Sequence, residues 1–274
     1  MVSRTWKVFW GTLGLLLVLM GIGYLGFYFI RDPSVDGNSY HAEMILGVLN
    51  GKSLFSLDWM YVRNTYYPKT IEVLFSGFSA LTDTLDAGRI LKLILIVLSG
   101  INVVQFLKSF PLAQSWKNWR WIGVFVFIIV VNPVVMYQFF TLYIDDVLYL
   151  LLVNFLMYVW LGNTKIALFV FALMVGAKLS YGFFGVLGLL VVIGSLACVR
   201  KVSFLNVVSA CYQDLGKTSW VRILVLLMGI WVGLHQYLAN AWNFHNPLYG
   251  FVGEGKKDII SMFQPPQMQK QSKF

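Results

Sequence analysis

The residue types that could do chemistry together fall in three places along this sequence. Asp36, Tyr40, His41 and Glu43 share one polar stretch, Asp145 and Asp146 form an acidic pair in the segment TLYIDD, and Lys178 stands alone inside an apolar run. A carboxylate such as Asp36 can deprotonate an acceptor hydroxyl lying within about 3 Å. Asp36 also stands where a cap for a helix opening near Ser39 would stand, and from spacing alone the cap is the better reading. An ammonium in apolar surroundings needs water, an acid or an anion as partner, so Lys178 reads either as a contact for a phosphate or as a side chain snorkelling to the interface. By itself His41 reads as an interfacial histidine and Glu43 as part of a solvated face. Asp145–Asp146 reads equally as substrate-facing acids or as an ordinary polar turn. Cys198 and Cys211 have no C-x-x-C partner and no histidines at metal-ligand spacing, so no metal site is expected.

The elements that must position these groups are apolar helices. Of 274 residues, 58% are hydrophobic and only 12% charged, against about 25% charged in an ordinary soluble domain. So little charge cannot cover a globule in water, and lipid removes the difficulty. The expected fold class is an all-α, polytopic transmembrane helix bundle forming a single domain over 1–274. It has about seven spans, at roughly 20 residues each, plus amphipathic interfacial helices in the first outer loop. The expected spans are Val8–Ile30, Leu91–Leu107, Trp121–Phe140 with a kink at Asn132-Pro133, Val147–Leu161, Ile166 to about Leu179, Phe183–Val199 and Ile223–Leu238. Residues 31–69 form the first outer loop. Within it, Ser39–Leu49 has helical apolar spacing and stops at Asn50-Gly51; Pro68 then opens a helix over Thr70–Leu81. Arg89 and Lys92 are expected to snorkel at the entrance of the second span. Arg200–Arg222 reads as a polar loop, and 239–274 as an outer polar tail.

The net charge of +9 reads as orientation and headgroup contact. The basic residues stand singly or in pairs at the ends of apolar runs, which excludes a nucleic-acid surface. With the N-terminus inside, the inner segments are short and rich in lysine and arginine, and of the twelve acids only Asp214 falls inside. Carboxylates from separate loops therefore gather on the outer face.

The first outer loop carries VDGNSYH, then NGKSLF, then YYPKTIEVLFSGFSAL; YIDDV, GAKLSYG and NPLYGF follow in order. This series resembles bacterial multi-pass glycosyltransferases of the GT-C class, the protein-mannosyltransferase-like group, over roughly residues 1–260. In that group an Asp precedes Tyr-His in the first loop, a Tyr-Pro-(Lys/Gln) opens a helix bearing Glu, and a basic residue ends a later span. Two departures stand out: Gly250 occupies the place of a common proline, and the chain carries fewer spans than the group usually has.

The resemblance implies transfer of a sugar from a polyprenyl-phosphate donor to an envelope acceptor, whether glycan, lipid or protein, on the outer face of the bacterial cytoplasmic membrane. It implies Asp36 as the acid/base residue and Lys178 as the contact for the lipid-linked phosphate, with Tyr40, His41, Asp145 and Asp146 on the substrate side. The partners expected are the lipid bilayer, the donor and the acceptor. The alternative is a transporter or flippase for a lipid-linked or anionic substrate, since a lysine in a span and outer carboxylates also suit a translocation path. The sequence shows no internal repeat of the kind transporters often carry.

Overall fold

The computed structural model describes residues 40–54, 67–82, 85–109, 119–130, 132–216 and 220–248. Among them the regular structure is entirely helical. Helix α1 (Ala42–Leu49) buries Ala42, Met44 and Ile45 and ends at Asn50. Gly51 follows at φ +75°, the left-handed position that glycine takes without a Cβ clash. Pro68 precedes α2 (Thr70–Thr82), where a fixed φ and a missing N–H cost a helix start nothing. A 3-10 turn (Leu85–Arg89) leads into α3 (Ile90–Lys108). There Gly88 lies so close to Phe75 of α2 that a Cβ on it would stand 2.6 Å from the Phe75 Cβ.

The stretch expected as one kinked span is two helices, α4 (Trp119–Val130) and α5 (Pro133–Gln138). Asn132 between them caps α5, its side-chain oxygen accepting from Val134 N at 2.8 Å and Val135 N at 3.1 Å. With Pro133 in the first turn, the chain restarts a helix here instead of bending one. Next come α6 (Asp145–Trp160), α7 (Thr164–Ala177) and α8 (Leu179–Arg200). Lys201 ends α8 in the left-handed region at φ 53°. The stretch 200–222, expected as a loop, contains a helix, α9 (Phe204–Gly216). Finally α10 (Trp220–Phe244) runs past the expected start of the polar tail at 239.

Among the described residues, α3 with 19 residues and α8 with 22 are long and apolar enough to cross a membrane. Helices α6 and α7 form the centre: α6 packs on α3, α5, α7 and α8, and α7 on α2, α8, α9 and α10. The core runs through Leu148, Leu150, Leu151 and Phe155 of α6 and Val170, Leu173 and Met174 of α7. Gly176 and Gly233 let α7 and α10 cross at backbone contact, with no room for a Cβ at either position. Helices α3 and α6 are also joined by buried polar side chains. Asn102 Nδ2 donates to Asn154 Oδ1 at 2.6 Å and Asn154 Nδ2 to Ser99 Oγ at 2.7 Å. Apolar surroundings strengthen such bonds and penalise their loss.

Candidate functional site

The site is built on a turn. Residues 139–144 join α5 to α6 and turn several backbone carbonyls toward α3. Two cations from the start of α3 take them. Lys92 Nζ donates to the carbonyls of Gln138, Thr141 and Tyr143, each at 2.8 Å, and Arg89 Nη1 donates to the Phe140 carbonyl at 2.6 Å. Lys92 also pairs with Asp146 Oδ2 at 2.9 Å, both side chains wholly buried. Asp146 Oδ1 also accepts from Val147 N at 2.9 Å, and the Asp146 N–H donates to Gln138 Oε1 at 3.0 Å. Arg89 and Lys92, expected to snorkel toward water, thus have no solvent exposure and serve as fasteners of this turn.

Fastened this way, the turn presents Tyr143 and Asp145 to a cavity of about 220 Å³. Tyr40 and His41 enter from the start of α1, Tyr67 and Glu72 from the start of α2, and Lys178 from the junction of α7 and α8. At that junction the chain is extended (φ −160°, ψ 118°), so Lys178 lies between two helices and not within one. Its Nζ donates to Asp145 Oδ1 at 2.8 Å, with the lysine 45% and the aspartate 36% exposed. This ion pair is therefore open to an incoming ligand.

On the opposite wall His41 and Glu72 form a buried pair, His41 Nδ1 to Glu72 Oε1 at 2.6 Å, with both side chains 2% exposed. His41 Nε2 and Glu72 Oε2 have no hydrogen-bond partner among the described residues. The His41 ring stacks at a tilt on Tyr40, centroids 4.1 Å apart, and meets Tyr143 edge-on. Behind Glu72, Lys69 is fully buried. Its Nζ donates to the Tyr67 carbonyl at 3.2 Å and to Gln236 Oε1 of α10. Gln236 Nε2 continues the chain to Asn240 Oδ1 at 2.9 Å. Burial lowers the Lys69 ammonium to a pKa of about 7, against the pull of Glu72 and Glu43, which raise it.

Four of the residues singled out from sequence, Tyr40, His41, Asp145 and Lys178, line this one cavity. Asp146 lies beside it, turned into the Lys92 pair. Asp36 is outside the described residues. Glu72, Tyr67 and Tyr143 were not singled out. For Glu72 and Tyr67 the signal was present, since Tyr67-Pro68-Lys69 and Glu72 belong to the segment that carries the resemblance. Among the described residues no cluster of His, Cys, Asp and Glu is arranged to hold a metal ion. Searches with protein-family models, among curated proteins and among solved structures found no match to this chain.

Proposed function

We propose that the chain is a polytopic, GT-C-like glycosyltransferase of a bacterial cytoplasmic membrane. It would cross the bilayer about seven times, with the N-terminus inside and the cavity facing outward. It moves a sugar from a polyprenyl-phosphate donor to a hydroxyl of an envelope acceptor. One observation carries the reading. Side chains more than a hundred positions apart, Tyr40 and His41 on one side and Asp145 and Lys178 on the other, converge on a single cavity holding a half-exposed ammonium and several polar side chains.

The proposed division of labour follows from the chemistry of each group. The donor's phosphate is the leaving group, and charge develops on it as the bond to the sugar breaks. Lys178 supplies the compensating positive charge. Asp145 keeps the ammonium oriented until the phosphate competes for it. Tyr40, Tyr67 and Tyr143 give flat, hydrogen-bonding walls suited to a sugar face. Asp36, the acid/base residue implied by the resemblance, stands five positions before His41 in the same loop segment.

The experiment is turnover by the purified full chain in lipid nanodiscs. It is given polyprenyl-phosphate hexoses and a short alkyl glycoside as acceptor, and released polyprenyl phosphate is measured. Release that depends on Lys178 supports the reading; no release from any donor contradicts it.

A transporter has one observation in its favour, the extended break at Lys178 between α7 and α8, since discontinuous helices line many translocation sites. Passage of a lipid-linked sugar across proteoliposomes without its cleavage would favour that reading.

A further inference from the structure

The buried pair on the cavity wall has a definite chemical polarity. Nδ1 of His41 lies 2.6 Å from a carboxylate oxygen of Glu72. With Glu72 as the carboxylate, which only accepts, the bond places the proton on Nδ1. In the neutral ring this leaves Nε2 as a lone pair, and Nε2 has no partner among the described residues although the side chain is 2% exposed. Leaving a buried polar atom unpaired is costly, so an arrangement that keeps one at the wall of a polar cavity suits a nitrogen that meets a ligand. The same arrangement, carboxylate to imidazole to reacting hydroxyl, is how an imidazole is held in the tautomer that accepts a proton.

We infer that His41 Nε2 is the proton acceptor for the substrate hydroxyl and that Glu72 is its positioning residue. The inference rests on the transferase reading above and places on His41 the role the resemblance gives to Asp36. In the step, the acceptor oxygen forms a bond to the anomeric carbon as the bond from that carbon to the phosphate oxygen breaks. The electron pair of the broken bond stays on the phosphate, beside Lys178. The hydroxyl proton passes to Nε2, giving an imidazolium held against the Glu72 carboxylate, which later returns the proton to water.

Other charged and titratable groups surround this pair: Lys69 ahead of α2 and His235 of α10 interact with Glu72, Tyr67, Tyr143, Asp145 and Lys178 line the same cavity, and Glu43 lies on the helix that follows His41. Nε2 makes no hydrogen bond to any of them. His41 comes from the start of α1 and Glu72 from the first turn of α2, two helices packed on each other. The dyad therefore joins the starts of two packed helices.

The test uses the full chain in nanodiscs with polyprenyl-phosphate hexose donors and an alkyl glycoside acceptor. His41→Ala should lower kcat by roughly 10²–10⁴-fold, the usual worth of a positioned acid–base group, with KM for the donor within about threefold. Added imidazole should restore at least a tenfold part of the loss, which a merely misfolded variant would not show. Glu72→Gln should lower kcat and leave KM for the donor little changed. In the wild type, nitrogen NMR of labelled histidine should find His41 protonated on Nδ1 and bare on Nε2 before substrate is added. Release by the wild type that His41→Ala leaves undiminished, or a proton found on Nε2 in place of Nδ1, overturns this inference alone. Absence of release by the wild type from every donor sinks the transferase reading and the inference with it.

Discussion

Lys178 Nζ and Asp145 Oδ1 meet at 2.8 Å across thirty-three positions of sequence, yet both side chains remain more than a third exposed. Exposed pairs of this kind contribute only about 0–1 kcal/mol to stability. Lys178→Met and Asp145→Asn should each leave the thermal midpoint within about 2 °C of the wild type. Their effects on ligand binding should be opposite. Lys178→Met removes the cation and should weaken polyprenyl-phosphate binding, whereas Asp145→Asn removes a competing anion and should tighten it severalfold. A titration of both purified variants checks the signs.

The Lys92–Asp146 pair is the contrary case, with no exposure on either side chain. Removing one partner of such a pair leaves a buried charge and typically costs 3–5 kcal/mol. Lys92→Met should therefore destabilise strongly. Combining it with Asp146→Leu should recover only part of the loss, because the hydrogen bonds from Lys92 to the Gln138, Thr141 and Tyr143 carbonyls stay broken. Denaturation in detergent of the two single variants and the double variant measures that coupling.

Where α7 crosses α10, a methyl group has nowhere to go. Gly176→Ala meets the Gly233 backbone, and Gly233→Ala meets the Ala172 carbonyl. Each should cost about 1–3 kcal/mol as the helices are pushed apart. Gly77→Ala, with nothing within 4 Å of the added carbon, is the matched control. It should be neutral or mildly stabilising, since alanine favours the helix.

Burial lowers the Lys69 pKa to about 7 in the folded chain, against 10.5 for an ordinary lysine. Between those two values the unfolded chain binds more protons than the folded one, so this group makes stability rise with pH. Below about pH 7 both states hold the proton and the slope vanishes. Thermal midpoints across pH 7–10 should climb more steeply in the wild type than in Lys69→Met. Equal slopes would show that Lys69 keeps its proton in the fold.

The apolar helices were legible because their signal is local: length, hydropathy and punctuation by Asn50-Gly51 and Pro68 place α1, α2, α6, α7 and α8 within a few residues. The break at Asn132 was anticipated as a kink, but whether Asn-Pro bends a helix or restarts one depends on whether the Asn side chain caps the next turn. Helix α9 was missed because its polar side chains and flanking charges resemble a loop until a neighbouring helix packs on it.

The candidate site divides along the same line. Tyr40, His41 and Asp145 stand out as chemically able residues of polar segments and Lys178 as a charge in an apolar run, and all four line one cavity. Lys92 and Arg89 were misread as snorkelling side chains because their partners are backbone carbonyls some fifty positions away, which no spacing pattern records. Glu72 carries no signal of its own in the sequence, because its partner His41 lies thirty-one positions earlier and outside its helix.

The central claim is that the cavity between Tyr40, His41, Asp145 and Lys178 receives a polyprenyl-linked phosphate. Its most direct test is the binding of polyprenyl phosphate to the full chain in nanodiscs, measured by native mass spectrometry for the wild type, Lys178→Met and Lys165→Met. The account predicts saturable binding that Lys178→Met weakens at least tenfold, worth about 1.4 kcal/mol, and that Lys165→Met leaves unchanged. Equal binding by all three, or none by the wild type, would contradict it.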